Sequence, residues 1–447
     1  MKNSAQRILT RATWIKIHLY LALSIGLFLA LLGLTGSISV YREELDELLN
    51  PQLVIDNPQG HYQSLDRMMV AVREAHPERH GSWTLEMPRT PYSMATAWYD
   101  KPRETFFELY APLMVSVNPY TADVVASRFW GQTLTTWLLD LHTQLHWGRF
   151  GWKMVGFLGV LLMVSISTGL YLWWPGVKGL WKALILHHKN GMIRLLFDLH
   201  RFVGLFSALA LLVLALSGFL LSYPVIMETL VGASGMQHGE TGRTLTSTAV
   251  PNNHPTGLAA AAFVAQAPFP KAQLRRVTTP AGNTGIYRIN FRQGFEINQR
   301  HPYTTVWVDR WSGQIKEVRN PANFSKSERF ASGLWPLHTG EALGATGRFA
   351  WFAAGQSLFF LYVSGLMRWL NQRGVVKDRE VNFAGLQLVC LRALKQAYSL
   401  SLQLISFTRR KLKQHAPYII RQYWTLIFWL RRVIFVMLKR QKRIGKN

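Results

Sequence analysis

The chain has 447 residues, 49% of them hydrophobic and 17% charged, with 50 Lys and Arg against 24 Asp and Glu for a net charge of +26. One cysteine, Cys390, excludes an intramolecular disulfide, covalent haem attachment through Cys-x-x-Cys-His and any iron–sulfur cluster that needs several thiolates. The basic excess carries no nucleic-acid motif with it, so it does not point to a nucleic-acid partner.

Taken in order, the chain opens with a short basic stretch and a long apolar one, 14–40. That stretch is too long for a signal-peptide h-region and no small-residue cleavage site follows it, so it reads as a signal anchor. Three more apolar stretches follow, 152–174 (within a predicted second span, 138–174), 197–223 and 348–370 (within a predicted fourth, 334–370). Each is long enough for the ~20 apolar residues a helix needs to cross a bilayer. Basic residues orient them. Lys2, Arg7, Arg11 and Lys16 precede the first span, and Lys178, Lys182, Lys189 and Arg194 fill the connection 175–196, with no acid in either place. The tail 371–447 holds 17 Lys and Arg against Asp378 and Glu380, whereas residues 42–136 carry 8 basic and 13 acidic groups. The expected topology has both termini and the central loop in the cytoplasm, with loops 41–137 and 224–333 outside an inner, bacterial-type membrane. Trp137, Trp147, Trp152, Trp173, Trp174, Trp335 and Trp369 fall at segment ends, where aromatic belts lie.

Each outer loop reads as a small α+β module. Residues 64–76 put Leu65, Met68, Met69, Val72 and Ala75 on one helical face, and Pro77 ends that helix. Alternating strands follow near 94–110, then a strand–turn–strand over 114–125. The second loop repeats the order: an Ala-rich helix over 257–266, a strand over 285–292 and a hairpin over 306–315. Residues 232–256, rich in Gly, Ser, Thr, Asn and Pro, read as a linker. The region 224–337 has 12 basic and 6 acidic residues, a balance that favours an anionic acceptor.

The spans also repeat. His18, Thr35, Gly36 and Tyr41 match His200, Ser217, Gly218 and Tyr223 at a constant offset of 182. Likewise His142, Gly159, Thr168, Gly169 and Trp173 match His338, Gly355, Ser364, Gly365 and Trp369 at an offset of 196. From His18 to Gly36 is ~27 Å of helix, so His18 and His200 lie near the cytoplasmic face, while His142 and His338 lie near the outer one. One histidine at a helix end serves more often as an interfacial anchor than as a ligand. Four at matched positions, at membrane depth, point to ligation. Two imidazoles across a haem plane at each surface of a four-helix unit is the arrangement this suggests. Zinc is the rival, but its sites want three or four protein ligands. His142 and His146 share a helix face, and His146, about 6 Å deeper, is an alternative outer ligand. The repeat favours His142, because Ala342 stands where a second histidine would follow His338. His187 and His188 read as solvated or headgroup-facing, and His61, His76, His80, His238, His254 and His301 as scattered outer histidines. Gly26, Gly33, Gly36, Gly156, Gly159, Gly169, Gly355 and Gly365 permit close helix approach or room for a flat macrocycle.

Several of these motifs together resemble the PepSY-associated transmembrane family: Trp14…His18-Leu-Tyr-Leu-Ala…Leu34-Thr-Gly-Ser…Tyr41-Arg-Glu-Glu-Leu, Val117-Asn-Pro-Tyr-Thr, Leu141-His142…Gly169-Leu-Tyr-Leu-Trp-Trp-Pro175, Asp198-Leu-His200-Arg…Ser217-Gly218 and Leu337-His338-Thr339…Ser364-Gly365-Leu366. The resemblance covers roughly 10–372. It implies a four-helix bundle, a duplicated two-helix unit, with two PepSY-like outer modules. For members that look like siderophore-iron reductases, it also implies two b-type haems held by His18, His200, His142 and His338. A cytoplasmic reductase would then donate electrons and a ferric siderophore, or another outer acceptor, would receive them.

Two other classes stay open. PepSY modules elsewhere resemble protease-inhibitory propeptides, which suggests a membrane-tethered regulator of an outer peptidase. A quinone-linked electron-transfer subunit is the third. No nucleotide-binding glycine fingerprint appears. In the tail, 384–407 and 417–438 are apolar but interrupted by Arg392, Lys395, Arg421, Arg431 and Arg432, and read as amphipathic surface helices on an anionic leaflet. A fifth crossing at 417–438 is the alternative.

Overall fold

A computed structural model describes residues 10–58, 60–186, 191–232, 245–248 and 254–377. The expectations for the tail helices, for Cys390 and for His187, His188 and His238 lie outside the described residues.

The first spanning helix, α1 (Arg11–Val40), begins at Thr10, whose hydroxyl accepts from the Thr13 amide. Short α2 (Arg42–Leu49) follows. Beyond the span come α3 (Leu65–Ala75), β1 (Thr84–Glu86), β2 (Ala95–Tyr99), β3 (Leu113–Val117) and β4 (Val124–Phe129). The chain returns through α4 (Leu134–Gln144) and α5 (Gly148–Trp173), passes α6 (Leu180–Ala183), and crosses again in α7 (Met192–Ser222). The second region between spans holds α8 (Pro224–Val231), α9 (Leu258–Gln266), β5 (Gln273–Thr278), β6 (Tyr287–Arg292), β7 (Thr304–Val308) and β8 (Ile315–Arg319). α10 (Lys326–Thr339) and α11 (Gly344–Gln372) complete the described chain. Among the described residues four helices are long and apolar enough to cross a membrane: Arg11–Val40, Gly148–Trp173, Met192–Ser222 and Glu341–Gln372.

The two expected α+β modules share one antiparallel sheet of eight strands, in the order β4-β3-β2-β1-β5-β6-β7-β8. β1 and β5 join them, with Thr84 opposite Thr278 and Glu86 opposite Arg276. One face of the sheet is apolar. Val115, Val117, Val277, Ile289, Phe291, Val306 and Val308 pack there on α3 and α9, whose Met68, Val72, Ala261 and Ala265 are fully enclosed. Asp66 of α3 accepts from the amides of Leu258 and Ala259 at 2.7 and 3.0 Å, capping α9 from the neighbouring half.

The other face of the sheet is polar and meets the outer end of the bundle. There Arg128 grips Asp46 with two bonds of 3.0 and 2.9 Å, Arg89 reaches Glu43 at 2.8 Å, and Arg300 reaches Glu341 at 2.7 Å. Glu43 shows what this crowd of cations does. Burial alone would raise its carboxyl, but Arg300, Arg89 and Arg42 outweigh that and hold it at about 2.

The stretches 138–174 and 334–370 each contain a break. α4 stops where Leu145 and His146 take φ of 51° and 55°, a left-handed turn that reverses the chain into α5. α10 stops at Gly340 with φ 81°. Gly151 then packs on the carbonyl of Gln144, and Gly347 on the carbonyl of Gly340, approaches that a Cβ would block. His142 and His338 therefore sit on short helices that abut the spanning ones.

Candidate functional site

The four matched histidines occupy one recurrent setting. His18 on α1 has Nδ1 3.1 Å from the Ser165 carbonyl and 3.0 Å from Thr168 Oγ1 on α5. His200 on α7 has Nδ1 2.9 Å from Ser364 Oγ on α11. On the outer side, His142 Nδ1 lies 2.9 Å from the Leu32 carbonyl, and His338 Nδ1 lies 2.9 Å from Ser217 Oγ.

These contacts choose a tautomer. A carbonyl only accepts, so Nδ1 of His18 and His142 must carry the proton. Ser364 and Ser217 spend their own hydroxyl protons on the carbonyls of Phe360 and Val213, at 2.7 and 2.6 Å, which leaves each oxygen to accept from Nδ1–H. All four imidazoles thus keep Nε2 unprotonated, with a lone pair to offer a metal.

A glycine stands against each ring. A Cβ on Gly36 would lie 2.6 Å from His142 Cε1, on Gly218 3.1 Å from His338, on Gly169 3.2 Å from His18, and on Gly365 3.5 Å from His200. The helix backbone passes so near each imidazole that three of the four positions have no room for an alanine without movement.

The histidines meet in pairs. His142 and His338 have ring centroids 6.2 Å apart and planes inclined by 35°. The two rings are close enough that His142 and His338 could together hold one metal-centred group. His18 and His200 are near enough for their charges to interact. Among the described residues no group of three or more His, Cys, Asp and Glu gathers that could hold a metal ion.

His146 stands apart. It is exposed and stacks on Trp137 at 4.7 Å, carried outward by the left-handed turn. His76, His80 and His254 lie at the outer modules away from either pair; His76 bonds Ser127 at 2.9 Å. His301 is nearer the site, edge-on to Trp335 at 5.6 Å, one helical turn before His338. The sequence reading missed the partners of Nδ1. Thr168, Ser217 and Ser364 were visible only as Thr-Gly and Ser-Gly steps within the repeat, and the carbonyl partners carry no sequence signal.

Residues 15–372 match the family described as the PepSY-associated TM region, and the chain belongs to it. It is a membrane protein with four candidate spanning helices among the described residues and a separate antiparallel sheet. No curated protein matches the chain.

Proposed function

We propose that the chain is an inner-membrane electron-transfer protein holding two non-covalent b-type haems, one between His18 and His200 and one between His142 and His338. It carries electrons from a cytoplasmic donor to an outer acceptor, ferric siderophore iron, whose hard-oxygen chelator holds Fe(II) less tightly and releases it. The observation that carries this reading is one ligand setting occurring four times: Nδ1–H bound to a carbonyl or hydroxyl, Nε2 left bare, a glycine against the ring.

A haem in such a pair supplies a one-electron Fe(III)/Fe(II) couple. The chain's residues do the remainder. Thr168, Ser217, Ser364 and the Leu32 carbonyl fix ring orientation and strengthen each imidazole as a donor. Gly36, Gly169, Gly218 and Gly365 let the helices close on the rings. The matched offsets of 182 and 196 fit a duplicated two-helix unit, and the Lys and Arg distribution supports cytoplasmic termini.

The test is an oxidised-minus-dithionite-reduced absorbance spectrum of the purified chain with pyridine-haemochrome quantitation. About two b-type haems per chain are expected. A folded, colourless protein from haem-replete cells rejects the reading and favours a PepSY-domain regulator of an outer peptidase.

A further inference from the structure

The strand order repeats β1 to β4 as β5 to β8 about the seam between β1 and β5. That seam is antiparallel, with Thr84 opposite Thr278 and Glu86 opposite Arg276, so one half is turned end for end against the other. Equivalent connections therefore leave opposite ends of the sheet. The β2–β3 connection (100–112) and the β6–β7 connection (293–303) are equivalent in this sense, and both present large apolar side chains to their surroundings.

In the first connection Phe106 and Phe107 meet edge to face, 5.7 Å apart, and are 62% and 99% exposed. The second inverts the ordinary order of burial. Phe295 and Ile297 are 54% and 50% exposed, whereas Glu296 and Asn298, alternating with them, and Arg300 beyond are enclosed. Glu296 accepts from the amides of Gln293, Tyr303 and Thr304, and Asn298 from the amide of His301. These bonds fix the alternation, so Phe295 and Ile297 are held outward by the same backbone that keeps the polar side chains in. A lone exposed apolar residue is ordinary on a surface in water, but a loop that buries its polar residues and displays its apolar ones is not.

What covers these tips follows from where the connections are tethered. Tyr110, near the end of the first, stacks on Trp130 at 5.1 Å. The guanidinium of Arg42, two residues past the end of α1, lies 5.0 Å from the Trp130 ring centre, and the Trp130 indole N–H donates to Asp140 of α4. In the second connection Arg300 bonds Glu341 at 2.7 Å, and Glu341 opens the fourth candidate span. Each connection is thus tied by side chains to the place where a spanning helix ends. Phe150 and Phe349, in the first two turns of α5 and α11, are also exposed, so the apolar surface of the spans reaches the ends to which these connections are tied. Aromatic and aliphatic side chains at such a level enter the boundary of headgroups and acyl chains, to a depth of ~5–10 Å.

We infer that both connections dip into the lipid leaflet on the sheet's side of the membrane, Phe106 and Phe107 at one end of the sheet and Phe295 and Ile297 at the other. The sheet is then seated on lipid at both ends as well as on the helix termini between them. The inference needs the four spans and is independent of the haem reading.

The chain has one cysteine, Cys390, which lets a label be placed at a single site. In a Cys390→Ser background, Phe107→Cys, Ile297→Cys and Phe263→Cys each receive an environment-sensitive nitrobenzoxadiazole dye, and the full chain is placed in nanodiscs of phosphatidylethanolamine and phosphatidylglycerol. Phe263 is the control: it is 82% exposed, but it stands on α9, across the sheet from the bundle. Labels at 107 and 297 are expected to emit further to the blue than the label at 263 and to resist iodide. They should lose emission to lipids with a doxyl group near the headgroup, and lose less to lipids with it at the chain end. The label at 263 should be quenched by iodide and by neither lipid. Labels at 107 and 297 that iodide quenches and lipid does not overturn the inference. Lipid quenching at 263 equal to that at 107 overturns it as well, because the dye and not the loop would then choose the membrane. A blue-shifted, iodide-protected label that no lipid quenches also overturns it, and assigns the tips to a protein surface. Insertion of one tip alone overturns the two-ended seat.

Discussion

Helices α2 and α8 occupy equivalent places, each eight residues long and each directly after a spanning helix, yet they are held by opposite chemistry. α2 is acidic. Its Glu43, Glu44 and Asp46 bind Arg89, Arg348 and Arg128 at 2.8, 2.6 and 2.9 Å. α8 is apolar, and its Met227 is buried with Leu220, Tyr303, Phe324 and Leu334. The same contrast runs through the sheet, whose polar face carries Thr84, Thr96 and Trp98 in the first half and Arg276, Arg288 and Asn290 at the matching places of the second. Inside the membrane the halves do not diverge in this way, since each histidine meets the same kind of partner. A buried imidazole held at Nδ1 leaves few solutions for ring orientation, whereas a helix under the sheet can be docked by charge or by apolar packing and still hold the sheet in place.

The largest expected effect tests the equivalence of the membrane halves. His18→Ala or His200→Ala should remove one b-type haem, and His142→Ala or His338→Ala the other, each lowering haemochrome content from about two to about one per chain. His146→Ala should leave it unchanged. A variant at 146 that loses haem while one at 142 keeps it would reassign the outer ligand.

The glycines break the symmetry next. Gly36→Ala puts a methyl 2.6 Å from His142 Cε1 and is expected to cost about 1–3 kcal/mol in overpacking, with loss of the outer haem's spectrum before the inner one's. Gly365→Ala meets His200 at only 3.5 Å, ordinary contact, and gains helix propensity, so thermal stability should hold or rise. Thermal melts and difference spectra of both variants read the ranking.

Smaller still is the loss of a hydroxyl. Ser364→Ala leaves His200 without its 2.9 Å side-chain partner and should weaken haem retention by about tenfold, toward the low end for such partners. Thr35→Ala should not move the outer haem, because His142 is bound to a backbone carbonyl and Thr35 Oγ1 donates to the Leu31 and Leu32 carbonyls instead. Equal effects of the two substitutions would mean that the hydroxyls act through packing alone.

Much of this was legible in the chain. Apolar length marks the four spans, and the constant offsets single out His18, His142, His200 and His338, because a repeat shows which residue answers to which. The helix expected over 64–76 from its apolar face and Pro77 is seen at 65–75, and the Ala-rich one expected over 257–266 at 258–266. What the chain conceals is long-range. The β1–β5 seam joins Thr84 to Thr278, and strand pairing between segments that distant leaves no local pattern. The breaks at Leu145 and His146 were hidden because neither residue favours positive φ. The arginines of the polar face come together only once the ladder register is known, since Arg276, Arg288 and Arg319 belong to three strands.

The charged junction supplies the last way to sharpen the comparison, because α2 is anchored in it by Glu43, Glu44 and Asp46 whereas α8 packs through Met227. Glu43 titrates near 2 in the folded chain against about 4.5 when unfolded, so the unfolded state takes up a proton first. Its contribution is complete above about pH 4.5 and is lost as pH falls toward 2. Glu47 is the reverse. Burial, then the charges of Glu43, Glu44 and Asp46, raise it to about 7, so the folded state holds its proton longer and stability declines as pH climbs from about 4.5 to 7. Glu43→Gln should therefore flatten the acid limb of the melting temperature, and Glu47→Gln should raise the melting temperature at pH 8 while leaving pH 4 unchanged. α8 has Val225 and Thr229 at the two corresponding places, with nothing to titrate. If Val225→Ala shifted the acid limb as much as Glu43→Gln, the pH dependence would belong to the packing of both helices and not to the ion pairs of one.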